Sequence, residues 1–366
     1  MVQSMLSDAL VDLIAQNQID FGHPVRALNP KRIWVIYVSR IGDTMLVSPC
    51  VRAIARFWPN AEITFVGHPQ RVVALESLPY VHKTVGRRGR MMSWLGWFTP
   101  KKVDLCFVFG TNASIVRYAC RVARHVVAFK QNDDATNRRI HSIVAWPQKY
   151  SRHSVNNFLT LVESVGIPNA GRALDYVVRD EETEWARQFL EDRGVPSGAT
   201  LIGLQIASFR TKAFRDWPIG HFMDLTDRLK EKVPDAWFLI FGGTVERART
   251  RELKRHIGAR CLDLAGVLRL RQTSAVMSQT QLYIGVDTGP THIMGTLGIP
   301  MVAMYHGSSP SWFLAPLEND KLFAVDHPRA GQEEIDFRMT DITVDRVLEK
   351  ALMALSLAPA RKYGAK

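Results

Sequence analysis

Ile33-Trp-Val-Ile-Tyr-Val38 runs straight into Ser39-Arg-Ile-Gly-Asp43, and this junction carries the clearest architectural signal in the chain. Six apolar residues without alternation read as a strand buried on both faces, as in a parallel sheet. A glycine turn follows, with Asp43 at the start of a helix expected over Thr44–Phe57 and closed by Trp58-Pro59-Asn60. Further apolar runs at Glu62–Gly67 and Val103–Phe109 read as strands. The rhythm restarts with strands at Leu201–Ile206, Trp237–Phe241, Leu282–Val286 and Met301–Tyr305 and a helix over Phe222–Lys232. Strands alternating with amphipathic stretches predict an α/β protein with doubly wound parallel sheets.

A length of 366 residues is about twice a usual domain of ~100–200 residues, so two domains are expected. The turn-rich segment Val165–Arg172, followed by an acidic helix around Glu181–Arg193, supplies the break. The reading gives an extension over residues 1–30 (amphipathic helix and linker), domains over 31–172 and 173–345, and a C-terminal helix and tail over 346–366. The extension places Met5, Leu6, Ala9, Leu10, Leu13 and Ile14 on one side and Asp8 and Asp12 on the other, which favours packing over membrane anchoring. Ligands of doubly wound sheets bind outside the carboxyl ends of the strands, so the expected site is a cleft between the two domains.

At 46% hydrophobic and 22% charged residues, the composition excludes a largely disordered chain. No apolar stretch approaches the ~18–20 residues of a membrane-spanning helix. Cys50, Cys106, Cys120 and Cys261 are scattered without a C-x-x-C pair, which argues against a disulfide framework or a zinc site and favours the cytosol. The net charge of +12 is lopsided. Residues 1–175 hold 22 Lys and Arg against 11 Asp and Glu, and the remainder is nearly balanced. Such a field concentrates an anionic partner: nucleic acid, an acidic membrane surface or a phosphorylated substrate.

Several chemistries are missing by inspection. There is no G-x-G, no P-loop, no G-x-S-x-G elbow and no H-E-x-x-H. No D-x-D pair is present to hold a divalent metal on a nucleotide diphosphate, so a diphosphate substrate would have to be neutralised by protein cations and backbone N–H groups.

Three strand-end segments carry candidate chemistry. Asp43 either caps its helix or serves as a general base at the carboxyl edge of the sheet. Ser208-Phe-Arg-Thr-Lys-Ala-Phe-Arg-Asp-Trp-Pro218 gathers Arg210, Lys212 and Arg215 with the hydroxyls of Ser208 and Thr211, which suits a phosphate or reads as a solvated basic turn. Gly285-Val-Asp-Thr-Gly-Pro-Thr-His292 combines helix-starting residues with a close-approach glycine, an arrangement suited to an anion. The segment precedes a helical stretch expected over Ile293–Leu297, and His292 either reaches a ligand or packs.

Taken together these segments resemble glycosyltransferase family 9, the lipopolysaccharide heptosyltransferases. The shared features are S-R-I-G-D, the basic loop ending in Trp217-Pro218, the turn Gly242–Glu246, and V-D-T-G-x-x-H before Gly298-Ile-Pro300. The resemblance covers roughly residues 31–350. It implies a GT-B fold: two Rossmann-like doubly wound domains facing across a cleft, the first (31–172) binding the acceptor and the second (173–345) the nucleotide sugar. It also implies metal-independent, inverting transfer with no cofactor, the ADP-sugar being a substrate. Asp43 matches the family's proposed catalytic base. Arg215 falls where the family commonly has Lys on the donor's phosphates, and Thr211 near the hydroxyl residues of that loop, with Ser208 and Lys212 as further donor candidates beside them. Glu246 falls on the nucleoside, and Asp287, Thr288, Gly289 and His292 near the sugar and diphosphate. Departures from the family pattern are Pro290, Met294-Gly-Thr and the long N-terminal extension.

The implied partners are ADP-heptose and an anionic glycolipid on the cytoplasmic face of the inner membrane, approached peripherally. Arg40, Arg87, Arg88, Arg90, Arg117 and Arg121 are the acceptor-binding candidates. The stretch Arg87–Lys102 interleaves cations with Met91, Met92, Trp94, Leu95, Trp97 and Phe98, which suits lipid head groups or a partly buried helix. No nucleic-acid module is recognisable, and the oligomeric state is left open. Two alternatives stand: the same chemistry with another nucleotide sugar or envelope acceptor, and a non-catalytic nucleotide- or polyanion-binding protein on the same scaffold.

Overall fold

The computed structural model describes residues 23–88, 92, 101–147, 152–207, 210–332, 337–358 and 363. The expected N-terminal helix, Arg90, Ser208 and most of the apolar residues of the 87–102 stretch lie outside them. Two compact units divide the chain, Met1–Asp175 and Tyr176–Lys366.

The first unit is a six-stranded sheet of β1 (Arg32–Tyr37), β2 (Glu62–Gly67), β3 (Lys83–Gly86), β4 (Val103–Val108), β5 (Ala123–Phe129) and β6 (Ser142–Val144). All neighbours are parallel and the order is β3-β2-β1-β4-β5-β6. The second unit repeats the plan with β7 (Thr200–Gln205), β8 (Ala236–Phe241), β9 (Cys261–Asp263), β10 (Leu282–Val286), β11 (Met301–Tyr305) and β12 (Leu322–Asp326), in the order β12-β11-β10-β7-β8-β9. Strand order reverses between β1 and β4 in one sheet and between β7 and β10 in the other. Those two points, at the carboxyl ends of the strands, are where doubly wound sheets bind ligands.

Alternation of side chains across the second sheet builds two cores. Ile202 and Leu204 of β7 meet Phe222, Leu225 and Leu229 of the helix Ile219–Lys232 and Val347 and Ala351 of the helix Val344–Ser356. Leu201, Leu239 and Tyr283 face the other way, onto Ala186 and Leu190 of the helix Asp180–Glu191 and Val276 and Met277 of the helix Leu270–Met277. Both faces are therefore covered, which is why these strands carry unbroken apolar runs.

Three expectations need correction. The helix foreseen over Thr44–Phe57 is two helices, Ile41–Leu46 and Ser48–Phe57, which meet at Val47. Pro49 forces the break, because it lacks an N–H and its ring collides with the preceding turn; it sits instead in the first turn of the second helix. The helix foreseen at 293–297 begins earlier, as Gly289–Met294, with Pro290 in its opening turn. Met92, read as lying either on lipid head groups or in a partly buried helix, is fully buried in the first unit's core with Cys106 and Tyr118, which takes it out of the lipid reading. An unbranched apolar side chain gains more from that packing than from a head-group surface.

The last segment of the first unit is tied back by Arg52. Its guanidinium donates to the carbonyls of Ala170 (3.2 Å), Gly171 and Ala173 (both 2.9 Å) and to the Asp175 carboxylate, which Tyr80 also approaches with its hydroxyl. Burial and the neighbouring Asp175 charge both push the Tyr80 phenol far above its ordinary range, so it acts only as a donor.

Candidate active site

At the first sheet's reversal point, Asp43 stands in the opening turn of the helix Ile41–Leu46, directly after β1. It is partly exposed. Its Oδ2 accepts the Ser39 hydroxyl (2.6 Å) and the Arg40 N–H (3.4 Å), and Oδ1 makes no hydrogen bond among the described residues. The carboxylate thus caps the turn with one oxygen and keeps the other for a further partner. Cations crowd the same edge. Arg71, placed after β2, donates to the Ser39 carbonyl (2.8 Å), and its guanidinium pKa is lowered by burial and by nearby Arg40. His68 is held below its ordinary pKa by desolvation and by Arg71 and Arg88. Arg40, Arg87 and Arg88 are exposed. Gly110, just past β4, has φ +86 and lies against the Tyr37 ring, where a Cβ would come within 3.3 Å. Only glycine fits both constraints without strain.

Two of the arginines read as acceptor contacts have structural work. Arg117 donates to Asp133 (3.0 Å) and Thr136 (3.1 Å), and Arg121 donates to the Met92 carbonyl (2.9 Å).

The second reversal point brings more of the foreseen residues together. The Arg215 guanidinium donates through Nη1 to Asp287 Oδ2 (3.2 Å) and through Nη2 to the Ser309 hydroxyl (2.5 Å). His292 Nε2 lies 3.4 Å from Asp287 Oδ1. These three side chains are well buried, at 18%, 6% and 5% exposure, so the pair is only weakly screened by water. Arg215 Nε and His292 Nδ1 are buried without a hydrogen bond among the described residues. Thr288 caps the helix Gly289–Met294, and its hydroxyl lies 3.1 Å from that of Thr291, which donates to the Val286 carbonyl (2.6 Å). Gly285 is packed closely: a Cβ there would come within 2.8 Å of the Gln205 side chain and 2.9 Å of the Tyr283 hydroxyl, so the strand end needs glycine.

Trp217 anchors the basic loop, being fully buried and donating its indole N–H to the Ile342 carbonyl (2.8 Å). Lys212 and Arg215 sit over the Phe214 ring, at 5.3 and 5.7 Å from its centre. Thr211 is exposed on that loop. Glu246, at the end of the neighbouring strand β8, is partly exposed and accepts the Gly243 N–H through Oε2 (2.7 Å).

The loop after β11 was not foreseen. His306-Gly-Ser-Ser309 supplies the hydroxyl that holds Arg215, and His306 Nδ1 pairs with Ser308 (2.9 Å) while Nε2 meets the Phe337 carbonyl (3.0 Å). Burial, opposed only by the Phe337 bond and reinforced by Arg215, His327 and Lys212, pushes the His306 pKa down to about 4. The imidazole is neutral at pH 7. Its signal was available: it occupies the same strand-end position as the other two segments.

Glycosyltransferase family 9 (heptosyltransferase) matches residues 115–341, a stretch that contains the whole Arg215–Asp287–His292 cluster. The chain belongs to glycosyltransferase family 9. It is a glycosyltransferase of the heptosyltransferase family, with its two doubly wound units of the GT-B type. The lipopolysaccharide core heptosyltransferase OpsX of Haemophilus influenzae is 24% identical over 322 residues, which span 83% of this chain and 87% of that protein. The solved family 9 glycosyltransferase of Veillonella parvula superposes with a TM-score of 0.77 at 18% identity, over 93% of this chain and 99% of its own. The ADP-heptose lipopolysaccharide heptosyltransferase II of Escherichia coli follows with a TM-score of 0.72 at 19% identity, over 89% and 99%. Asp43 lies ahead of the family match. No helix among the described residues is long and apolar enough to cross a membrane.

Proposed function

We propose that this glycosyltransferase moves a heptose from ADP-heptose to an inner-core lipopolysaccharide acceptor in one displacement that inverts the anomeric centre and needs no metal. The names of the relatives support the donor and acceptor class. The observation that carries the reading is the buried Arg215–Asp287–His292 cluster at the second reversal point, with a guanidinium N–H and an imidazole nitrogen that have no hydrogen-bond partner among the described residues. Buried polar groups of that kind complete their bonding with a ligand or ordered water.

In the proposed reaction the acceptor hydroxyl oxygen attacks the anomeric carbon as the bond from that carbon to the diphosphate oxygen breaks. Asp43 accepts the hydroxyl proton through its free Oδ1. Negative charge gathers on the departing ADP, where Arg215 and Lys212 answer it; one such pre-placed donor is worth about 3–4 kcal/mol. The N–H groups opening at Thr288 and Gly289 add to it, and Glu246 retains an oxygen for the nucleoside hydroxyls. Exposed Arg40 beside Asp43, and exposed Arg87 and Arg88 after β3 on the same sheet edge, suit the phosphates and acidic sugars of an acceptor held at a membrane surface, which the enzyme would approach peripherally.

The test is transfer by purified protein from ADP-heptose to inner-core acceptor, with and without EDTA, followed by mass spectrometry. A heptose-sized gain that survives chelation is expected. Absence of transfer overturns the donor and acceptor assignment, and activity lost on chelation and restored by a divalent ion overturns the metal-free mechanism.

A further inference from the structure

An aromatic chain in the first unit ends in solvent at the same sheet edge as Asp43. Tyr37 at the end of β1 and Phe109 just past β4 meet Phe158 of the helix Ser154–Glu163, and Phe109 also meets Phe129 at the end of β5. Tyr37 and Phe158 are 5.4 Å apart between ring centres, and Phe109 lies 6.4 Å from Phe129. Trp146, two residues beyond β6, closes the chain: its ring stands edge-on to Phe129 at 4.2 Å and to Phe158 at 6.0 Å. Phe129 and Phe158 are buried, whereas Trp146 is 40% exposed. At the other end, Tyr37 is close enough to Asp43 for the carboxylate to help raise its phenol pKa.

A single exposed aromatic residue is ordinary on a protein surface. This one differs in three respects. Two buried rings fix its orientation, so little rotamer freedom remains to be lost on binding. All six strands are parallel, so it shares the carboxyl edge with Asp43. Finally, Trp146 is joined to Tyr37 through one intervening ring, Phe158, a span on the scale of one or two sugar residues. Among the described residues, the unit offers cations at the ends of β1, β2 and β3 for anionic groups and an exposed aromatic face beyond β6.

We propose that Trp146 is a stacking platform for a neutral sugar ring of the acceptor, taking the carbon–hydrogen face of a pyranose, and thereby a specificity determinant on the β6 side of Asp43. The proposal rests on the reading that this unit binds a saccharide acceptor. Stacking buries the apolar face of the sugar and leaves its hydroxyls in the ring plane free for water or polar side chains.

The experiment compares Trp146→Ala and Trp146→Phe with the parent enzyme. The KM values for donor and acceptor are measured, and a lipid-free, dephosphorylated inner-core oligosaccharide is titrated by calorimetry. Trp146→Ala should weaken oligosaccharide binding and raise the acceptor KM about five- to tenfold, with the donor KM unchanged, and Trp146→Phe should recover most of the loss. Unchanged oligosaccharide affinity in Trp146→Ala overturns the platform, as does a Trp146→Phe protein that binds as weakly as the alanine variant. If Trp146→Ala fails to fold, the phenylalanine variant decides by comparison of tryptophan fluorescence: saccharide must shift the emission of the parent protein and not that of Trp146→Phe. A parent enzyme that binds the oligosaccharide but transfers nothing would sink the transfer reading and leave the platform standing.

Discussion

The two sheets reverse strand order at equivalent points and place a carboxylate there, but they treat it differently. Asp43 keeps Oδ1 without a hydrogen bond among the described residues, and nearby Arg71 feels its charge but donates to the Ser39 carbonyl instead. Asp287 is buried, paired with Arg215 and approached by His292. In the proposed reaction the first carboxylate accepts a proton, while the second is the counter-ion that holds a guanidinium in place. Equivalent fold positions therefore sit in different electrostatic surroundings, set by whether a guanidinium bonds the carboxylate.

The sharpest way to break that contrast is to remove the free carboxylate. Asp43→Asn keeps the Ser39 and Arg40 contacts nearly isosterically but cannot take a proton. Its kcat should fall by about 10²–10⁴-fold with ADP affinity unchanged by calorimetry. Retained turnover would make Asp43 a cap and nothing more. Arg215→Ala attacks the other side. It strands a buried Asp287 charge, so urea denaturation should show a loss of about 3 kcal/mol, together with a raised donor KM. Arg215→Lys should recover part of the stability and less of the donor binding, because an ammonium cannot bridge Asp287 and Ser309 as a planar fork does. Equal stability of all three proteins would mean that the pair does not organise this edge.

Legibility in the sequence followed burial. Strands β1, β2, β4, β7, β8, β10 and β11 lie at or next to the centre of their sheets and read as apolar runs. The edge strands β3, β6 and β9 are short or carry polar residues such as Lys83, Ser142 and Asp263, so they left no run to see; β12 has the short run Leu322–Val325, half-exposed at the sheet edge, and was passed over. Strand β5 was hidden differently: it follows the helix Ala113–Val122 with no connecting residues, and Arg124 and His125 mask its start. At the site, Arg215, Asp287 and His292 were legible because glycine, proline and clustered charge mark their strand ends. His306, Ser309, His68 and Arg71 lie beside glycine and proline marks of the same kind, at Gly67, Pro69, Gly307 and Pro310, but without the clustered charge. Their roles depend on which loops the sheet order makes neighbours, and β11 is placed beside β10, which in turn adjoins β7, only by crossovers that local patterning does not reveal.

The β11 loop also gives the comparison a pH axis. His306 has a folded pKa of about 4, below that of an unfolded histidine near 6.5, so the unfolded chain binds the proton first. The stability this buried neutral imidazole provides is complete above about pH 6.5 and is lost as pH falls toward 4, by about 2–3 kcal/mol at most. His306→Asn should flatten that part of the profile when urea midpoints are measured from pH 7.5 to 4.5. A parallel slope in both proteins would place the titrating group elsewhere.

The smallest effect asks whether the second edge is tuned as well as paired. Ser309 accepts one guanidinium hydrogen bond from Arg215 and passes its own proton to the Ser308 carbonyl, and Ser308 is held in turn by His306. Ser309→Ala removes only the acceptor, leaving the Asp287 pair intact, so stability should change by about 1 kcal/mol. A guanidinium freed to rotate about Asp287 no longer presents its fork in one plane. The donor KM should therefore rise about three- to fivefold with kcat less affected, and Ser309→Thr should restore it. If the alanine variant lowers kcat and leaves the donor KM alone, the loop acts on the chemical step, and the division between a reactive first edge and a binding second edge must be redrawn.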